Sequence, residues 1–292
     1  MRFTYHIGLH CTDADRALDG LLAQSGTLAR QGIAVARPGV FRPALREAML
    51  ELRGAPAPPQ MQARLLAAIC DREAPAHVLL SSDSFLCVPQ RAIADGTLYP
   101  LAGERAPWIR NLFPDAPAHF ALALRNPATL IPALQARFAD RESWEEFVGR
   151  IDPEALSWTD MVTRLRDAVP DAEITIWCNE DAPLLWPDLL ARLAGTAPGA
   201  APEGGDDFVA ELMSSEGFAR LQGYLSENPP RDAGHRRRVA AAFLDRFARP
   251  EAVADDYDLP GWDADRVTRL TERYEADIAR IGAMQGVTLL LP

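Results

Sequence analysis

The residues with the most chemical potential fall in one short stretch, Gly8-Leu9-His10-Cys11-Thr12-Asp13-Ala14-Asp15-Arg16. It follows a strand-like run, RFTYHIGL at 2–9, and precedes a helix-like one. A strand, a short loop and a helix N-terminus make a natural anion site, because free N–H groups and the positive dipole end point outward there. In an open α/β sheet ligands sit at the carboxyl ends of strands, where this loop would lie. His10 could titrate near neutral pH and take or give a proton. The Cys11 thiol could be acidified by a helix N-terminus, although Asp13 and Asp15 oppose that shift. The loop can also be read without a ligand. Thr12 would then be an N-cap and Asp15, at N3, an imperfect capping box, with acidic side chains favoured in the first turn.

The elements that must position this loop alternate between strand and helix. Helical periodicity covers 14–31, with Leu18, Leu21, Leu22 and Leu28 roughly on one face, and Gly32 ends it. IAVA at 33–36 reads as a second short strand. Helices are expected at 41–53 and 60–72, split by APAPP. The apolar runs HVLLS (77–81), AHFALAL (118–124) and EITIWC (173–178) read as buried strands. Near-continuous apolar strands separated by helices indicate a mostly parallel sheet with helices on both faces. A linker rich in Ala, Pro and Gly is expected at 196–205, dividing an α/β domain over 1–195 from a helical extension over 206–292 packed on it. Helices are expected at about 206–226, 233–248 and 263–284. The final GVTLLLP is either an edge strand or a packed tail. Pro132 should kink or break the helix after the 118–124 strand.

Composition narrows the function classes. The chain has 292 residues, 48% of them hydrophobic, and a net charge of −11. That charge argues against a nucleic-acid or anionic-membrane binder, since both need a basic footprint. All thirty cations are arginine, which removes Schiff-base lysines and an intact Walker-type lysine loop. The four cysteines form no CxxC pair, and no HxH or HExxH spacing occurs, so neither a disulfide framework nor a metal site is expected. His6, His77 and His119 fall in or beside strands, where packing is the expected role. No apolar run reaches bilayer length, and a reducing, cytoplasmic setting is expected. The Arg236-Arg237-Arg238 run reads as a solvated helix face.

The loop and several later segments together resemble bacterial sulfotransferase-like proteins. HIGLH followed by Thr12 and a helix is similar to that family's start, approximately H-I-G-x-H-K-T-G-T-T. LARQGIAVARP, HVLLSSDSFL, NLFPDAPAHFALALRNPATLIPALQARF and DAEITIWCNED follow in family order across about 5–195, and WDADRVTRLTERYEADIARI resembles a tail helix found in bacterial members. The resemblance implies an α/β fold of the P-loop, sulfotransferase-like type. It implies the donor 3′-phosphoadenosine 5′-phosphosulfate (PAPS) and a hydroxyl-bearing small molecule or sugar as acceptor. It places Cys11 and Thr12 at the phosphosulfate, Arg125 at the 3′-phosphate, and Asp83 near where a carboxylate would serve as base for the acceptor hydroxyl. From their own place on the loop, Arg16 could swing toward the phosphate and His10 is a second candidate base.

The departures sit in the same places. Cys11 falls where the family has its phosphosulfate lysine, and Asp13 replaces a loop glycine. Ala14 and Asp15 replace hydroxyl residues, and Ala133 replaces the serine that partners Arg125. Losing one group that stabilises developing charge costs roughly 2.7–4 kcal/mol. An added carboxylate about 4 Å from a phosphate oxygen costs roughly 1–4 kcal/mol more. The expectation is therefore a weak or inactive transferase. The alternative is a non-enzymatic binding or scaffold protein on the same fold. For Arg125 and Asp83 the other readings are a salt-bridged strand end and a turn cap.

Overall fold

The structure is a computed structural model that describes residues 1–70, 75–94, 96–196, 205–253 and 257–292. Of the linker expected at 196–205, residues 197–204 lie outside the described residues. β1 (Arg2–Gly8) leads into α1 (Ala14–Ala23), α2 (Ser25–Arg30), β2 (Ile33–Ala36), α3 (Pro38–Leu52) and α4 (Pro59–Ile69). β3 (His77–Ser81) is followed by a small antiparallel pair, β4 (Ile93–Ala94) and β5 (Thr97–Leu98), and by α5 (Ala102–Arg110). β6 (Ala118–Leu124) precedes α6 (Pro127–Ala136), α7 (Trp144–Gly149) and α8 (Trp158–Ala168). β7 (Glu173–Cys178) precedes α9 (Ala182–Ala194), α10 (Asp207–Leu212), α11 (Ser215–Glu227), α12 (Ala233–Phe247), α13 (Pro250–Val253) and α14 (Ala264–Gly282), and β8 (Val287–Leu290) closes the chain.

Six strands form one sheet in the order β2-β3-β1-β6-β7-β8, and each neighbouring pair is parallel. β3 and β6 are buried along their whole length, as a parallel sheet covered on both faces requires. Phe3, Tyr5 and Ile7 pack with α3, α4, α5, α8 and α14 on one face; Leu79, Ala121, Ala123 and Trp177 pack with α1 and α9 on the other. The fold is α/β with a parallel sheet, and the C-terminal tail is an edge strand beside β7. The 206–292 region is not merely laid on the sheet: β8 joins it, and Leu270, Tyr274 and Ile281 of α14 enter the main core. α11 and α12 differ, for they share a small core of their own with α10, around Val209, Met213 and Leu221.

Four expectations about helices change, the first being that 206–226 forms two helices, α10 and α11, separated at Met213–Ser214, where the Ser214 side chain caps α11. The stretch 14–31 splits at Gln24, whose N–H turns back to the Leu21 carbonyl, with Ser25 and Gly26 following. α3 starts earlier than expected because Pro38 sits at its first position, where its missing N–H costs nothing. Pro132 neither breaks nor ends α6. It cannot donate to the Ala128 carbonyl four residues back, and the Trp262 indole N–H does so instead at 2.9 Å. α14's approach thus satisfies the group that proline orphans.

A polar row crosses the α9 face of the sheet. His77 on β3 donates from Nδ1 to the Ala194 carbonyl (2.7 Å), and its Nε2 accepts from Thr4 Oγ1 (2.9 Å). Thr4 in turn accepts from His119 Nδ1 (3.3 Å), whose Nε2 accepts from Thr175 Oγ1 (2.9 Å). With both rings neutral, every donor in this chain faces an acceptor. Beside the row, His6 Nδ1 pairs with Ser81 Oγ at 2.9 Å. Burial pushes His6 down to about 4 and His119 to about 3, and lowers His77 as well. Gly195 ends α9 in the left-handed conformation, and a Cβ there would meet the His77 ring at 2.5 Å. The strand histidines are structural.

Candidate functional site: the crevice between β1 and β6

From β1 the chain crosses to β2 on one side, and from β6 it continues to β7 on the other. The carboxyl ends of β1 and β6 therefore flank the switch point where an open α/β sheet binds ligands. The 9–13 loop and Arg125 meet there.

The loop turns by unusual means. Gly8 has φ 64° and is spanned by a bond from the Leu9 N–H to the Ile7 carbonyl (2.8 Å). Leu9 (φ 75°) and Cys11 (φ 61°) also hold left-handed backbone, which costs a residue with a Cβ on the order of 1–2 kcal/mol. Thr12 does not cap α1, contrary to the ligand-free reading of the sequence. Its hydroxyl donates backward to the carbonyls of Leu9 (2.9 Å) and Gly8 (3.3 Å). Asp13 takes the cap position without a side-chain cap bond, so no capping box forms through Asp15, which is exposed. The Asp13 N–H instead donates to Asn179 Oδ1 beyond β7 (3.1 Å).

Arg125 and Arg16 occupy different surroundings. Arg125 Nη1 donates to the Cys11 carbonyl (2.7 Å), and its Nε donates to Thr129 Oγ1 (2.9 Å). The Trp158 indole N–H fixes the Arg125 carbonyl at 3.0 Å. Arg16 turns toward α10: its guanidinium lies 2.6 Å from the Glu211 carboxylate and stacks 4.1 Å over Phe208, while Asp13 is 3.5 Å away. Both arginines flank Asp13. Burial raises the Asp13 carboxyl to about 6, and the attraction of Arg16 and Arg125 only partly offsets this.

A second cluster lies on the other side of Cys11. Arg137, just past α6, donates from Nη1 to Asp83 Oδ2 (2.9 Å) and reaches the Cys11 thiol. Sequence reasoning missed Arg137, since nothing in its neighbourhood marks it and only the path of α6 carries it to the loop. Burial alone would raise Asp83, but the Ser84 hydroxyl (2.8 Å), His10 and Arg137 together hold it below its ordinary range. It stays ionised and acceptor-competent at neutral pH. Burial raises the Cys11 thiol despite Arg137 and Arg125, so it is no thiolate nucleophile.

His10 is fully buried and stacked against Tyr99. Its backbone N–H donates to the Tyr99 hydroxyl (2.8 Å), which in turn lies 3.1 Å from Nδ1. The hydroxyl satisfies both contacts by accepting from the N–H and donating to Nδ1, which leaves the ring proton on Nε2. Nε2 faces the Cys87 carbonyl without a well-formed hydrogen bond. Burial lowers the ring to about 4. With Nδ1 occupied and Nε2 protonated, His10 is a weaker candidate base than Asp83. No group of three or more metal-ligating side chains occurs among the described residues. Among them, no helix is long and apolar enough to cross a membrane.

No family model matches the chain. No curated protein matches it either. Among solved structures it is similar to a sulfotransferase from Alicyclobacillus acidocaldarius, with 13% sequence identity and a TM-score of 0.40, covering 90% of this chain and 98% of that one. At that level of likeness the site has to be read from its own residues.

Proposed function

We propose that this chain is a sulfotransferase-like protein whose β1–β6 crevice takes an adenine nucleotide carrying a 3′-phosphate, and that its transfer activity is weak or absent. The observation that carries the reading is the convergence of Arg125 and Arg137 on Cys11, the position where the resembling family has its lysine. On this reading the two guanidiniums at the carboxyl end of β1 are the cations an anion would meet, in exchange for bonds they already make, such as Arg137 to Asp83. Arginine holds phosphate by its planar fork and cannot take over the compact point charge of a lysine.

The fit to PAPS is partial. In the proposed complex Arg125 takes a phosphate, with Arg137 beside the loop. PAPS would bring a sulfuryl group activated by its phosphate. The Thr12 hydroxyl would have to give up the Leu9 carbonyl to donate to a ligand. Asp83, ionised and held by Arg137 and Ser84, is the residue to accept a proton from an acceptor hydroxyl. Asp13 opposes all of this, because its half-buried carboxylate stands where the family keeps a glycine.

Calorimetric titration with adenosine 3′,5′-bisphosphate, with adenosine monophosphate as control, tests the reading. Micromolar binding that needs the 3′-phosphate supports it. The triple change Cys11→Lys, Asp13→Gly, Asp15→Thr should strengthen binding if the crevice is intact. Absence of binding at millimolar ligand in both proteins would sink the nucleotide reading and leave a non-enzymatic binding protein.

A further inference from the structure

Beside the crevice, α3, the segment after β3 and the start of α5 enclose a groove of about 720 Å³. That is the size of a small-molecule site. Its charged lining is all of one sign. Arg42, Arg46, Arg91 and Arg105 face it, and among the described residues no carboxylate does, in a chain whose net charge is −11. Arg105 is held 3.9 Å over the Trp108 ring, with Glu104 at 3.7 Å. The guanidiniums of Arg42, Arg46 and Arg91 make no hydrogen bond or ion pair among the described residues, so their charge remains available. Three like charges along one groove repel each other unless an anion sits among them.

The rest of the lining is apolar. Leu45, Phe85 and Leu86 are buried around it, while Leu50 and Val88 are 47% and 50% exposed, among the most exposed large hydrophobic side chains in the protein. Exposed apolar side chains set beside unpaired arginines match a ligand with an apolar body and a charged head. The groove also adjoins the candidate chemistry. Ser82 and Ser84 line it on either side of Asp83 in sequence, and Cys87 lines it while its carbonyl faces His10.

We propose that this groove binds a small amphiphilic anion, an aryl or short alkyl compound with one carboxylate, sulfonate or phosphate head. Resting on the function proposed above, a hydroxylated member of that class is the acceptor, with its hydroxyl toward Asp83. Binding itself does not depend on that reading.

The test uses 8-anilinonaphthalene-1-sulfonate as the amphiphilic anion and N-phenyl-1-naphthylamine as its uncharged counterpart, with fluorescence titration of the whole chain. The variant is R42Q/R46Q, both exposed positions, checked for unchanged circular dichroism. The expected result is saturable single-site binding of the sulfonate, weakened about tenfold or more in the variant, the scale of losing charge-assisted hydrogen bonds. The uncharged amine should bind parent and variant alike. Equal sulfonate binding to parent and variant overturns the proposal, as does the absence of saturable sulfonate binding to the parent. Adenosine 3′,5′-bisphosphate is titrated into the same preparations to separate the two readings. Arginine-dependent sulfonate binding without bisphosphate binding keeps the groove and removes only its role as an acceptor site.

Discussion

Acidification from about pH 8 to 5 should destabilise this fold far sooner than carboxylate protonation would. His6 and His10 are pushed down to about 4 and His119 to about 3, each by burial, from an ordinary 6.5. A group whose folded-state value is depressed binds its proton first in the unfolded chain. Its contribution is intact above 6.5 and is lost as pH falls toward the folded value. At about pH 5 each of these three rings is protonated in the unfolded chain and neutral in the folded one, a loss of about 2 kcal/mol apiece. Asp13 works the other way. Its folded value is raised to about 6, so acidification through that value restores on the order of 1 kcal/mol at pH 5. The net loss is on the order of 4–5 kcal/mol, a large part of a typical domain's 5–15 kcal/mol. Urea unfolding at about pH 8, 7, 6 and 5, followed by tryptophan fluorescence, measures it. The unfolding free energy should fall most steeply between about pH 6 and 5, and His119→Gln should remove about half of that net slope, because Asp13 offsets part of what the three rings contribute, whatever it does to absolute stability. A midpoint that stays flat from about pH 7 to 5, and falls only where carboxylates protonate, would refute the reasoning.

Three further outcomes are expected. Asp13→Asn should tighten adenosine 3′,5′-bisphosphate binding at about pH 8 by roughly 1–4 kcal/mol and change little at about pH 5, where the native carboxyl is already neutral; calorimetry at both pH values checks this. Asp277, buried on α14, accepts from the Trp158 N–H (2.7 Å), Thr159 Oγ1 (2.5 Å) and Arg280 (2.7 Å), and so caps α8 from a distance. Asp277→Ala should cost about 3–5 kcal/mol in urea unfolding, because it orphans buried donors as well as an ion pair. Trp262→Phe should cost about 1–3 kcal/mol beyond the change in ring size, and clearly less in a Pro132→Ala background, where α6 can satisfy Ala128 itself; a double-mutant cycle reads the coupling.

The sheet was legible because its strands are buried on both faces and so appear as unbroken apolar runs, as AHFALAL and HVLLS do. The position of the loop was legible for a related reason: a chemically loaded segment after a first buried strand falls at the sheet's carboxyl edge. Its internal wiring was not. Only Gly8 advertises a left-handed turn, whereas Leu9 and Cys11 adopt that conformation with Leu9 bonded to Ile7 and Thr12 and the Cys11 carbonyl bonded to the distant Arg125. Thr12 reads as a cap from its neighbours, but its hydroxyl is drawn back by two carbonyls that those turns expose. Arg16 sits near the loop in sequence and belongs to Glu211 in space. Arg137 is far from it in sequence and bonds to Asp83 beside it. Spacing along one helix or strand can be read from sequence; which cation reaches which anion across the α10 and α6 packing cannot.

The same wiring bears on why the crevice would bind an anion weakly. A phosphate-binding loop works by presenting unpaired donors to its ligand. Here the loop has spent several of its polar groups on the protein: the Cys11 carbonyl on Arg125, the Thr12 hydroxyl on Leu9 and Gly8, and the Asp13 N–H on Asn179. Among the described residues, Arg16 already faces the Glu211 carboxylate and Arg137 the Asp83 carboxylate. A ligand must therefore exchange existing bonds rather than fill empty ones, and an exchange yields only the difference between two bonds of similar strength. Replacing Asp13 removes a repulsion without touching these bonds, whereas installing a lysine at position 11 adds charge beside Arg137 and raises the cost of assembling the cluster. The parts of the loop restoration should thus be unequal, with Asp13→Gly contributing more to affinity than Cys11→Lys alone and the lysine gaining its full effect only once Asp13 is gone.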